Sequence, residues 1–269
     1  MNPAVSRAAG LTLIVIAATW ALLAVMAPLS AGFAPATCTT THCFCETPRA
    51  DSMMLQPANS WSSFGYVFVG FLLMLDARRR GGNAFPSEGA AMFGIAAITV
   101  GVGSVLLHAT LTLWGQFADV LGMYLVSGFM LVYALAKIGN LDRGKSAMLY
   151  GVVCAALITV LLVAPEVRRW LFFAVLLTAL ILEIGFARGR RPAVILSYLL
   201  LGALAKAAGF GVWVLDQNRT LCAPDSLIQG HAFWHLCGAV SLWLTYCYYR
   251  SEAPANFTGS VVDKPHLAA

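Results

Sequence analysis

Apolar runs of about 20 residues recur along this chain from its first few residues to residue 249, separated by short polar turns. Wound as a helix, a run of that length crosses the hydrocarbon core of a bilayer. Inside that core each backbone N–H and C=O must find its partner within its own segment, so repeated apolar runs admit little besides helices. The chain has 269 residues, of which 59% are hydrophobic and 11% charged. Soluble domains carry about 25% charged residues. The reading is an all-α membrane protein: a seven-helix transmembrane bundle plus one extra N-terminal hydrophobic helix. No soluble domain fits between the runs. The net charge of +5 comes from a few Lys and Arg clustered in short loops. There they set membrane orientation and give no signal for nucleic acid.

The runs fall at about 8–29, 59–75, 89–108, 116–137, 147–163, 171–186, 193–215 and 229–249. They divide the chain into an N-terminal membrane helix over 1–31, an outer loop with cysteines over 32–58, the seven-helix bundle over 59–250, and a flexible tail over 251–269. The first run also reads as a signal peptide, with Ala34-Pro35-Ala36 as the cleavage site. It is long for that purpose, and a retained helix is preferred. Arg7, Arg78 to Arg80, Lys137 with Arg143 and Lys145, Arg188 with Arg190 and Arg191, and Arg250 fall on one side. The other side has Arg49, Arg219 and the pair Arg168 and Arg169. The excess of positive charge makes the first side cytoplasmic, with both termini inside. The Arg168-Arg169 pair dissents. A bacterial inner membrane is the expected location, with the outer loops on the periplasmic face.

Against this apolar background the few polar residues stand out. Three of the five histidines, His108, His231 and His235, lie in or at the ends of apolar runs. His231 and His235 are four residues apart and share one helix face, as do Ser104 and His108. Ionisable groups in a membrane span mark functional sites by default. In the orientation above, His108 ends its span at the outer side. Asp119 begins the next span there, and His231 and His235 begin the last. Three histidines and a carboxylate from separate stretches thus fall at one depth. Three imidazoles can hold zinc and leave a fourth position open, the arrangement of a catalytic site. His42 reads as an ordinary loop residue. Cys38, Cys43, Cys45 and Cys222 lie in outer loops, where an oxidising compartment permits disulfides. Cys154, Cys237 and Cys247 read as small apolar fillers inside helices.

The combination of Ser104-x-x-x-His108, Asp119 eleven residues later, and His231-x-x-x-His235 on the last span resembles the alkaline ceramidase family. That family belongs to a wider superfamily of seven-span hydrolases that also contains the adiponectin and progestin receptors. The resemblance covers about residues 43–249. Cys45-Glu46, Asn59-Ser60 and Trp213-x-x-Asp216 ahead of Cys222 also look like family positions. The resemblance implies His108, His231 and His235 as zinc ligands, with Ser104 and Asp119 completing the catalytic site. It implies hydrolysis of a ceramide-like lipid amide to a long-chain base and a fatty acid. Cys45 and Cys222 match the family's loop-tying disulfide. Animal members bind calcium in the segment before the first core span. Here Glu46 is kept, but Cys43, Pro48 and Gln56 stand where calcium ligands are wanted. A hard cation needs several oxygen ligands, so no calcium site of that kind is expected.

On this reading the zinc ion brings the pKa of its water toward about 7. Asp119 acts as general base, Ser104 donates to the developing oxyanion, and the acyl chains lie between helices. Trp114 and Trp234 are expected as interfacial anchors, and Gly101 and Gly103 as points of close helix contact. Glu46 is expected to cap or form an ion pair in its loop. Trp213 and Asp216 shape a pocket rim or cap a helix end. Three other functions compete: a lipid ester hydrolase of phospholipase type on the same zinc site, a non-catalytic lipid receptor holding zinc structurally, and a proton-relay transporter. The last is disfavoured because no ionisable residue marks a path to the far side. Nothing in the sequence names a protein partner.

Overall fold

A computed structural model describes residues 3–30, 32–39, 44–80, 85–189 and 194–252. Eight helices account for most of them: α1 (Pro3–Ser30), α2 (Pro57–Arg80), α3 (Ser87–Thr110), α4 (Leu113–Gly139), α5 (Arg143–Val163), α6 (Arg168–Gly189), α7 (Leu196–Gln217) and α8 (Gly230–Ser251). No strand forms among the described residues beyond an isolated bridge between Pro35 and Thr112. Most of the helices outrun the apolar stretches that announce them. Polar termini such as that of α2, which ends in Arg78, Arg79 and Arg80, continue the helix beyond the apolar run. A single 3-10 turn, Pro165–Val167, joins α5 to α6.

Helices α1 to α7 are long and apolar enough to cross a membrane. The eighth expected helix is present as α8, as long as its neighbours, though its polar face leaves it short of their hydropathy. Its inward face carries His231, His235, Thr245 and three tyrosines, all buried. Polar groups on that face are satisfied by neighbouring helices, while the opposite face leaves Phe233, Leu236 and Val240 exposed as an apolar strip able to meet lipid. The helix lies against α7, α2 and the far edge of α3. Helix α1 lies outside the bundle against α2, where the Trp20 and Trp61 rings stand 5.9 Å apart.

Small residues draw α2, α3 and α4 together. A Cβ on Gly103 of α3 would stand 2.3 Å from the Ala118 carbonyl oxygen of α4, and one on Gly101 would stand 2.9 Å from the Ser63 carbonyl oxygen of α2. Both glycines therefore serve the close helix contacts expected of them. At the end of the bundle away from the histidines, ion pairs replace small-residue packing. Lys137 of α4 reaches Glu183 of α6 at 2.6 Å and also pairs with Glu252. Arg250 meets Asp76 at 2.6 Å, and the Tyr246 hydroxyl donates to the same carboxylate. His42, Cys43, Arg190, Arg191 and the tail beyond residue 252 lie outside the described residues.

Candidate metal centre

The site is built at the end of the bundle where α3 stops and α2, α4 and α8 start. Leu111 adopts a left-handed conformation (φ 49°) and ends α3. The chain then re-enters helix at once, with the Thr112 hydroxyl accepting from Gly115 N–H to cap α4. That tight reversal leaves His108 on the last turn of α3 and Asp119 on the second turn of α4. The loop ahead of α2 is stitched to the reversal by backbone bonds: Ala36 N–H to Leu111 O, Leu55 N–H to Ala109 O, and Gln56 N–H to His108 O.

The three imidazoles converge. Ring centroids are 4.5 Å apart for His231 and His235, 4.9 Å for His108 and His231, and 5.2 Å for His108 and His235. One nitrogen from each lies within 4.8 Å of the other two, and all three residues are buried. The other ring nitrogens fix the tautomers. His108 Nδ1 is 2.8 Å from Gln56 Oε1. The Gln56 amide is oriented because its Nε2 donates to the Glu46 carbonyl. An amide oxygen only accepts, so His108 carries its proton on Nδ1 and turns a lone pair inward from Nε2. His235 Nδ1 lies 3.1 Å from the Asn59 carbonyl, beside the Ser62 and Ser63 hydroxyls. The same logic turns its Nε2 lone pair inward. His231 Nε2 stands 3.1 Å from His108 Nε2, while its Nδ1 is buried without a partner. Two inward lone pairs are thus fixed, and a His231 protonated on Nδ1 would add a third, a set that one cation can satisfy; outer hydrogen bonds of this sort orient metal-ligating histidines.

Ser104 and Asp119 flank the triad. The Ser104 hydroxyl is 3.3 Å from His235 Nε2, accepts from Ser63, and is hydrogen-bonded to the Asp119 carboxylate. Asp119 lines a cavity of about 390 Å³ whose walls are mainly apolar. Phe44 closes the triad from the loop side, 4.5 Å from both the His108 and the His231 ring.

The loop is held by three ties. A disulfide joins Cys45 to Cys222. Asp216, at the end of α7, accepts from Cys45 N–H and from Gly230 N–H, so it caps α8 and holds the loop together. Glu46 accepts from the Ala58 and Asn59 backbone N–H groups and so caps α2. Burial pushes the Glu46 carboxyl above its ordinary range, and those two donors oppose the push. Of the two roles open to Glu46 the structure shows the cap.

Several residues escaped sequence reading. Gln56, Ser62, Ser63 and Phe44 touch the triad, but no spacing rule connects Gln56 to His108 or Ser62 to His235. Trp234 needs correction: it is buried in the cavity wall and stacks on Trp213 with centroids 5.6 Å apart, so it is no interfacial anchor. The supposed lack of ionisable residues deeper in the spans is also overturned. Lys206 lies midway along α7 and Glu183 lies within α6.

Fold and site together define a multi-pass helical membrane protein with a buried three-histidine group able to hold a metal ion. A comparison with protein families matches residues 36–254 to the family described as Ceramidase. The chain belongs to the ceramidase family. A comparison with curated proteins gave no match.

Proposed function

We propose that this chain is a zinc-dependent intramembrane amidase, hydrolysing ceramide-like N-acyl lipids to a long-chain base and a fatty acid. The observation that carries the reading is the convergence of three buried imidazoles beside the Asp119–Ser104 pair, in an apolar cavity. His108, His231 and His235 would hold the ion. When bound, zinc would supply an electrophile for the amide carbonyl and acidify a water.

The chain's own residues do the rest. Gln56 and Asn59 hold two of the imidazoles in the ligating tautomer. Asp119 is the carboxylate placed to take the proton from the attacking water and return it to the leaving nitrogen. Ser104 orients Asp119 in the resting arrangement, and its hydroxyl is free to turn toward the carbonyl oxygen as negative charge develops there. The apolar cavity walls hold an acyl chain and keep bulk water from the acid–base pair. Both oxygens of Glu46 and both ends of the Gln56 amide are already engaged. That supports reading the loop as lacking a calcium site.

We place the site at the periplasmic face of a bacterial inner membrane with both termini in the cytoplasm. The Arg168-Arg169 pair that opposed this orientation has another employment. Arg168 donates to the Pro165 carbonyl and the Thr37 hydroxyl, Arg169 lies 5.5 Å from the Trp213 ring, and both line the cavity. An ester hydrolase on the same residues is the second reading, and a receptor holding zinc structurally leaves Asp119 without a purpose. The test is incubation of the purified protein with ceramides and phospholipids, with and without chelator, followed by mass spectrometry of released fatty acid. Chelator-sensitive release from ceramides is expected. Release from phospholipid esters alone, or release from ceramides that survives complete removal of metal, overturns the proposal.

A further inference from the structure

The cavity holds more positive charge than hydrolysis of a neutral lipid uses. Lys206, Arg168 and Arg169 all line it, and Asp119 is the single carboxylate among its lining residues. Asp119 lies within electrostatic reach of all three cations. Lys206 is the most exposed to question, because a charge midway along a span is costly and marks function by default. Its Nζ stands 3.5 Å from the Trp234 ring centroid and 5.9 Å from that of Phe172. No carboxylate comes within 4.0 Å of it among the described residues. Nζ also lies 3.0 Å from where a Cβ on Gly238 would stand, and the Tyr66 hydroxyl crowds the same point. The missing side chain of Gly238 therefore makes room for the ammonium one turn along α8 from His235. Arg169 is in the same condition, with an aromatic face beside it and no ion pair among the described residues. Cation–π contact offsets only part of the desolvation of such groups.

A neutral ceramide offers these charges hydrogen-bond acceptors but no counter-charge, and a protonated long-chain amine is repelled by them. We propose that Lys206 and Arg169, assisted by Arg168, form an anion subsite that receives the acidic group of a lipid beside the reacting centre. Two sources share this chemistry: an acidic headgroup of phosphate or sulfonate type on the N-acyl substrate, and the carboxylate of the fatty acid released. Naming those sources rests on the hydrolase reading, whereas the subsite itself does not.

The first measurement is binding to the full chain, zinc-loaded and in nanodiscs, read by tryptophan fluorescence. The probes are hexadecyl phosphate, palmitate and, as neutral control, hexadecanol; none of them carries an amide bond. The wild type is expected to bind both anions at least about tenfold more tightly than hexadecanol, as suits hydrogen bonds to charged groups. Lys206→Gln and Arg169→Gln should each remove about a tenfold share of that preference and leave hexadecanol binding unchanged. Lys206→Arg should retain it. If Lys206→Gln fails to fold, Arg169→Gln decides alone. A wild type without anion preference, or variants that weaken all three probes equally, overturns the subsite.

A kinetic measurement separates the sources. Loss in Arg169→Gln of a preference for N-palmitoyl sphinganine 1-phosphate over its neutral parent assigns the substrate headgroup. Weakened inhibition by palmitate with that preference unchanged assigns the product. A wild type that binds anions selectively but hydrolyses no amide keeps the subsite and removes the hydrolase reading. One that hydrolyses neutral ceramide and binds all three probes equally does the reverse.

Discussion

Gly103→Ala tests the site through its scaffold without removing a polar side chain. The added Cβ would stand 2.3 Å from the Ala118 carbonyl oxygen and 2.8 Å from the Asp119 backbone nitrogen. Both neighbours are backbone, so no side chain can swing aside. Bringing the closest contact out to even 3.0 Å requires α3 and α4 to part by at least ~0.7 Å, and close-packed interiors transmit such a shift. Ser104 follows Gly103, and Asp119 follows Ala118, so the strain falls on the hydrogen bond between them. Overpacking of this kind costs about 1–3 kcal/mol of stability. A misplacement near 1 Å at reacting groups costs on the order of a hundredfold in rate, so kcat/KM should fall by roughly ten- to a hundredfold. The assay is release of fatty acid from an N-acyl lipid, with thermal melting in the same detergent. Gly151→Ala on α5 is the control: nothing lies within 4 Å of its new Cβ, and replacing a helical glycine in open space is worth about 0.5–1 kcal/mol of added stability. If Gly103→Ala melts and turns over like wild type, the tight α3–α4 contact does not position the acid–base pair, and the reasoning is refuted.

Other perturbations separate the roles assigned above. The wild type should carry about one zinc per chain and His231→Ala much less than that, measured by elemental analysis of protein purified without added metal. Gln56→Leu removes the acceptor of the His108 Nδ1 proton and should weaken zinc binding by about 10- to 100-fold in competition with a chromogenic chelator; unchanged affinity would show that the tautomer is set elsewhere. Lys137→Met leaves Glu183, which is 0% exposed, without its counter-charge and should cost on the order of 3–5 kcal/mol, seen as a large drop in melting temperature. Cys45→Ser opens a disulfide of sequence separation 177. Its loss should lower stability by at most about 5 kcal/mol and speed zinc release, whereas an unaltered off-rate would detach the loop from the site.

Much of this molecule is written in periodicity, and the part that is not has a physical reason. The spans show because lipid demands long unbroken apolar runs, and the histidines show because they interrupt those runs. Helix ends were drawn short because averaging over apolar residues discounts the polar turns that continue α2 and α4. Lys206 was hidden by the same averaging, since one lysine hardly moves the mean of a run that also holds many leucines and alanines. Gln56, Phe44, Ser62 and Ser63 were illegible for a different reason. Their partners lie 52 to 187 residues away along the chain, from the pair Gln56 and His108 to the pair Phe44 and His231. Only the packing of α2 against α3 and α8 brings them together. The Cys45–Cys222 link and Asp216 were both readable by likeness to a family, but the backbone groups that Asp216 braces, Cys45 N–H and Gly230 N–H, lie 171 and 14 residues from it and follow from no spacing rule.

The modest apolarity of α8 has a consequence for how the chain is made. The insertion machinery releases segments into lipid according to their apolarity, and α8 is the helix least suited to wait there by itself. It also brings two of the three imidazoles. Its retention depends on α2 and α7 already standing, with Asp216 of α7 ready to receive its first turn. Completion of the three-histidine group therefore waits on the last helix: a chain short of α8 brings only His108.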